Sequence, residues 1–209
     1  MKMKTNSNTY TIIYSAILVV IVAFLLAFVS QSLKSKQDTN VALDQKKQIL
    51  YSLNIRGLDG DEAEAKYKEV VLSEQSVNGN TLYICKVDGK DKYVIPLKGM
   101  GLWGGISGFL AINEDKATVY GAYFNHESET AGLGAEIKDS QDWQEKFQGK
   151  KLFAADGTAA LSVEKKVEDP SSQVDAVTGA TLTSNGVSDM LKDAVTKYAQ
   201  FLKNKGQVE

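Results

Sequence analysis

The sequence predicts an α+β domain behind a single apolar helix, and three observations carry that prediction. One is a long uncharged run near the N-terminus. Another is a series of short β-patterned segments, each punctuated by turn residues. The third is a C-terminal stretch with apolar residues at helical spacing.

From Thr11 to Val29 no residue is charged, and Ile, Leu, Val, Ala and Phe dominate. At about 1.5 Å per residue this run reaches roughly 28 Å, the hydrocarbon thickness of a bilayer. A cleaved signal peptide is the competing reading. Its apolar core would be unusually long, and no small-x-small cleavage site follows Leu26-Ala27-Phe28-Val29, so the run reads as an anchor. Tyr10 and Tyr14 sit where interfacial aromatics do. Lys2 and Lys4 before the run nearly balance Lys34 and Lys36 after it, so charge does not choose an orientation. The run holds no ionisable side chain and offers no path for a proton or an ion.

Ser30 to Asn40 is polar and reads as a linker, and Val41 to Leu53 is weakly helical. Asp61 opens a helix through Val71, with acids in its first turn. Thr81–Val87 and Lys92–Leu97 read as strands around Asp88-Gly89; Ile106–Ile112 and Thr118–Phe124 repeat the arrangement around Asn113-Glu114-Asp115. Ser140 caps a short helix over Gln141–Phe147, and Leu152–Ala155 and Leu161–Val167 read as further strands. A last helix is expected from Ser184 to Lys203, buried through Val187, Leu191, Ala194, Tyr198, Phe201 and Leu202. The layout is thus a tail over 1–9, a membrane helix over 10–30, a linker and helical part over 31–80, and a domain over 81–209.

Composition excludes several classes. One arginine, Arg56, among 24 basic residues and a net charge of −2 leave no basic face for nucleic acid. Cys85 is the sole cysteine, so neither an intrachain disulfide nor a thiolate cluster can form; in a strand it reads as a small buried apolar residue. His126 beside Glu127 and Glu129 invites a metal, but one histidine without paired ligand spacing does not make a site. No hydrolytic triad or carboxylate pair stands out, and no glycine-rich strand–turn–helix fingerprint for a dinucleotide occurs. No catalytic residue is assigned.

The informative stretch is Asp175-Ala176-Val177-Thr178-Gly179-Ala180-Thr181-Leu182-Thr183-Ser184. It sets several hydroxyls and a glycine ahead of a helix, where the N–H groups of Ser184, Asn185 and Gly186 would favour an anion. Gly179 and Ala180 bring no bulk there. A phosphate group suits the place, and so does an ordinary ligand-free N-cap.

This stretch resembles the recognition motif of the flavin transferase, Asp-x-x-[Ser/Thr]-Gly-Ala-[Ser/Thr]-x-[Thr/Ser], in which the last hydroxyl takes FMN from FAD as a phosphodiester. Asp175, Thr178, Gly179, Ala180, Thr181 and Thr183 meet every defined position. A chance match in a chain this long is on the order of one in ten thousand. The resemblance implies covalent FMN on Thr183, with Thr181 and Ser184 as neighbours.

Gly101-Leu102-Trp103-Gly104, Gly108-Phe109-Leu110-Ala111 and His126-Glu127-Ser128-Glu129-Thr130-Ala131-Gly132-Leu133-Gly134 are similar to the C subunit of the sodium-translocating NADH:quinone oxidoreductase. Ala131 departs from the proline usual there. The resemblance implies a single-span subunit of the bacterial inner membrane, with its flavin domain on the periplasmic side. It also implies electron relay between neighbouring flavin and iron–sulfur subunits of the complex, and a flavin transferase as maturation partner. Glu129 and Thr130 are expected at the ring edge, with Gly132, Leu133 and Gly134 against its face. Trp103 is expected in the core, and Lys165 and Lys166 as solvated charges. The alternatives are the G subunit of the related ferredoxin:NAD oxidoreductase complex and a cofactor-free anchored envelope protein.

Overall fold

The computed structural model describes residues 7–204; Lys2 and Lys4 and most of the expected tail lie outside them. The chain divides into two compact units, Met1–Asp44 and Gln45–Glu209. Helix α1 runs from Asn8 to Ser52. Its side chains from Ile12 to Val29 are almost all exposed, and it is the one helix among the described residues long and apolar enough to cross a membrane. The expected linker is helical instead. Residues 8–52 contain neither glycine nor proline, and the hydroxyls of Ser32 and Thr39 bond back to the carbonyls of Phe28 (2.8 Å) and Ser35 (3.0 Å), so polar composition costs the helix little. α1 ends where Asn54 turns left-handed (φ +61°) and the Ile55 N–H closes on the Leu50 carbonyl at 2.9 Å.

The second unit continues with α2 (Gly60–Val70) and the strands β1 (Val71–Val77), β2 (Asn80–Val87), β3 (Lys90–Met100), β4 (Gly105–Asn113) and β5 (Val119–His126). These five form one antiparallel meander in chain order. Two-residue turns with positive φ, Asn78-Gly79 and Asp88-Gly89, join the first three strands, as hairpin twist requires. β1 is not among the strands expected from sequence. It is an edge strand, mostly exposed, so Val-Leu-Ser-Glu-Gln-Ser-Val lacks an apolar alternation, and only its Asn-Gly turn announces it. The compact unit therefore begins well before residue 81.

α3 (Glu136–Asp139) and α4 (Gln141–Glu145) follow, the latter capped as expected by Ser140, whose Oγ accepts the Trp143 N–H at 3.2 Å. Where longer strands were expected, Leu152–Ala155 makes only an isolated bridge from Phe153 to Ala159, next to one from Lys151 to Thr118, and the next strand shrinks to β6 (Ser162–Glu164). β6 pairs in parallel with β7 (Gln173–Asp175). The last helix is α5 (Thr181–Lys197), broken at Tyr198 before α6 (Ala199–Lys203). The Tyr198 hydroxyl is tied to the Thr81 carbonyl, a tertiary bond that accompanies the break.

Both faces of the meander are covered. On one, Leu82, Ile95, Leu110 and Phe124 pack with Val187, Leu191 and Val195 of α5 and with the rings of Trp143 and Phe147. On the other, Tyr123 meets Tyr51 near the end of α1 (ring centroids 5.2 Å), and Gln45 donates to the Tyr83 hydroxyl at 3.3 Å. Cys85 is fully buried, and burial pushes its thiol up to about 12. The expected α+β class thus holds, with helices on both sides of an antiparallel sheet.

Candidate functional site

Three loops meet at one edge of this domain: the β3–β4 connection over 101–104, the segment after β5 over 127–135, and the turn into α5 over 176–183. What joins them is a carboxylate. Glu129 is only 7% exposed, and its Oε2 accepts the hydroxyl hydrogen of Thr183 at 2.6 Å. Its Oε1 accepts the Trp103 N–H at 2.8 Å, with the Leu102 and Gly104 N–H groups directed at the same carboxylate. The connection is closed on itself by the Gly101 N–H bonding the Gly104 carbonyl at 2.8 Å, so successive amides point inward. His126 Nδ1 accepts the Glu129 N–H at 3.2 Å and fixes the backbone that delivers the side chain.

Burial by itself would raise the Glu129 pKa. Hydrogen bonds from the Thr183 hydroxyl and from the Trp103, Leu102 and Gly104 N–H groups outweigh it and hold the carboxyl below the ordinary glutamate range. Glu129 is therefore charged at neutral pH. Close approach is possible because two positions lack a side chain. A Cβ at Gly134 would sit 2.5 Å from Glu129 Oε2 and 2.7 Å from Thr183 Oγ1, and one at Gly101 would sit 2.4 Å from Glu129 Oε1.

Thr183 is 1% exposed, whereas Thr181 and Leu182 face solvent. Helix α5 begins three residues earlier than expected, with Ala180 as its N-cap residue. The Ser184 N–H is consequently inside the helical ladder, bonded to the Ala180 carbonyl at 2.9 Å, and the amides that precede the ladder are those of Thr181, Leu182 and Thr183. The cause is Gly179, whose positive φ (+77°) turns the chain into the helix early. Ser184 contributes by another route: its Oγ accepts the Val177 N–H at 3.1 Å and pins the turn to the helix.

The remaining expected residues fall into place unevenly. Thr130, Gly132 and Leu133 are exposed, and the Thr130 carbonyl accepts the N–H groups of Leu133 (3.1 Å) and Ala135 (3.0 Å) to make a tight turn. Glu129 points into the protein toward Thr183. Trp103, expected in the core, is 66% exposed, in the short connection between β3 and β4. Lys165 and Lys166 lie exposed after β6, as expected of solvated charges. Among the described residues, no group of three or more His, Cys, Asp or Glu side chains is placed to hold a metal.

Reasoning from sequence alone missed the Glu129–Thr183 bond and the amides of 102–104. It also missed the apolar rim. Met100, Leu102, Trp103, Leu133 and Leu182 are all exposed, and they lie in or next to the three loops. Two apolar residues held between glycines, as in Gly101-Leu102-Trp103-Gly104, are the signal that could have revealed it. A cleft of about 300 Å³ beside the site carries three carboxylates, Glu136, Asp142 and Asp175, against one cation, Lys146, a balance that does not favour a phosphate.

These residues fit an FMN: a hydroxyl for its phosphate, helix-start amides for the charge, and an apolar rim for the ring. The FMN-binding domain family matches residues 101–196, which contain all three loops. The C subunit of the Na+-translocating NADH-quinone reductase from Pseudomonas aeruginosa is 41% identical over 132 residues, covering 59% of this chain and 50% of that protein. The Chlamydia muridarum C subunit is 33% identical over 181 residues, covering 78% of this chain and 52% of its own length. The chain thus spans about half the length of these curated relatives. The crystal structure of the C subunit from Parabacteroides distasonis superposes with a TM-score of 0.77 at 33% identity, covering 83% of this chain and 98% of that one. NqrC of Shewanella oneidensis, at 20% identity and a TM-score of 0.62, shares the fold over 77% of this chain and 96% of its own. Motifs, fold and relatives agree: the chain belongs to the C-subunit family of the Na+-translocating NADH-quinone reductase, with an FMN-binding domain over residues 101–196.

Proposed function

We propose that this chain is the membrane-anchored, electron-transferring C subunit of a sodium-pumping NADH:quinone reductase, with FMN held as a phosphodiester on Thr183. One observation carries the reading. The last hydroxyl of the Asp175–Thr183 motif lies at the start of α5 and is met by Glu129 of the second motif, inside an apolar rim. FMN, when bound, supplies one-electron transfer, and the protein supplies position and insulation.

Each part of the chain has a task in this reading. The amides of Thr181, Leu182 and Thr183 offset the diester charge at the helix start. Leu102, Trp103, Leu133 and Leu182 give the isoalloxazine an apolar bed and exclude water from one side of it. Gly134 lets the loop lie close to Glu129 and Thr183, Gly132 supplies the positive φ (+71°) of its turn, and Gly179 leaves room for the Leu133 side chain. α1 holds the domain at the bacterial inner membrane, on the periplasmic side, beside the other flavin and iron–sulfur subunits. Its uncharged run leaves sodium to those partners. A flavin transferase loads the cofactor during maturation.

The test is a denaturing gel viewed under ultraviolet light after coexpression with a flavin transferase. A fluorescent band is expected in the wild type and in Thr181→Ala, and none in Thr183→Ala. Fluorescence that follows Thr181 moves the site, and a dark wild-type band removes the covalent reading.

A further inference from the structure

Glu129 is more than a structural plug. We propose that its carboxylate is the proton acceptor that readies the Thr183 hydroxyl for its own modification, so that the substrate protein brings part of the catalytic machinery for flavin attachment. The inference rests on the reading of Thr183 as the attachment point and adds a residue and a role to it.

The geometry has the three parts of an activated nucleophile. Thr183 Oγ1 donates to Glu129 Oε2 at 2.6 Å, so its proton already points at a base and its lone pairs are turned elsewhere. The base is oriented by a third group, the inward amides of Leu102, Trp103 and Gly104 together with the His126 contact to its backbone. Gly134 and Gly101 leave the room that brings carboxylate and hydroxyl together. Among the described residues, the Thr181 hydroxyl has no carboxylate partner. The motif offers hydroxyls at Thr178, Thr181 and Thr183, and only the last is held this way.

The step balances without any change of oxidation state. Thr183 Oγ1 attacks the FMN-side phosphorus of an FAD presented by the transferase. The new O–P bond forms as the pyrophosphate P–O bond breaks, AMP leaves, and the hydroxyl proton passes to Glu129 Oε2. Glu129 then releases the proton to solvent, since the amides of Leu102, Trp103 and Gly104 still favour its charged form.

The experiment uses the purified full-length chain in detergent, FAD, magnesium and a flavin transferase, following mass gain and in-gel fluorescence with time. Wild-type loading is the control: if the wild type gains no flavin, the attachment reading fails, whatever Glu129 does. With the wild type loading, Glu129→Gln keeps shape and loses basicity, and incorporation should slow about 100-fold or more with melting nearly unchanged. Loading of Glu129→Gln at the wild-type rate would show that the transferase supplies the base and would overturn the proposal, as would a loss that merely follows unfolding in the native-state melt. A second arm uses Glu129→Ala with added formate. Restored loading with formate supports the proposal even if the glutamine variant melts early, and no restoration in a folded alanine variant counts against it.

Discussion

Two regions of this molecule expose large apolar side chains, and they differ in what surrounds them. Along α1, Ile12 to Val29 are exposed on every side of the helix, with no charged group among them. At the flavin-domain edge, Met100, Leu102, Trp103, Leu133 and Leu182 border a buried hydroxyl–carboxylate pair and a helix start. All-round apolarity satisfies a solvent that makes no hydrogen bonds. A rim around polar groups satisfies a single ligand that has an apolar body and a charged end. Exposure alone therefore says little, and the polar groups inside the border decide the reading.

One substitution placed in both regions would break that comparison most sharply. Val20→Arg puts a charge at the middle of the run and should cost about 2.5–3.5 kcal/mol of insertion, seen as a shift of the protein from the membrane pellet to the alkaline-extractable fraction. Trp103→Arg should leave that fractionation unchanged and instead alter the fluorescence yield of the loaded protein. Equal fractionation of the two variants would erase the distinction.

Gly134→Ala addresses the edge alone. Its Cβ would meet both Glu129 Oε2 and Thr183 Oγ1 within 2.7 Å, so the pair must part, at about 1–3 kcal/mol of stability in denaturant melts of the domain. Ser184→Ala is expected to cost about 1 kcal/mol, because the Val177 N–H loses its acceptor and the turn before α5 loosens. The Asp175–Lys146 ion pair, with both side chains about half exposed, marks the lower end. Lys146→Ala should change stability by less than about 0.5 kcal/mol. Asp175→Asn should be as mild in the melt, so any fall in flavin loading in that variant reports recognition by the transferase rather than folding.

The two regions differ in how far the sequence reveals them. The anchor is a one-dimensional property, and its length and lack of charge can be read directly. Only its unbroken passage through Ser30 to Asn40 escapes, because a polar stretch resembles a linker even where no glycine or proline breaks the helix. The strands from β2 to β5 announce themselves by alternation and turn residues, whereas β1 hides as a polar edge. Thr183 is legible as a motif position. Its partner is not, since Glu129 lies 54 residues away and only the meander brings the two together. The direction of the Glu129 side chain and the exposure of Trp103 are three-dimensional outcomes of the same folding, and no local pattern encodes them.

The buried thiol described with the fold has a practical consequence. Cys85 is the chain's single sulfhydryl, wholly enclosed, with a pKa pushed up to about 12. Folded protein will therefore resist maleimides and iodoacetamide, and uptake of such a reagent times the opening of the sheet. A cysteine introduced at an exposed rim position such as Leu182 then becomes the preferred attachment point for a spin label or dye, without removal of the native residue.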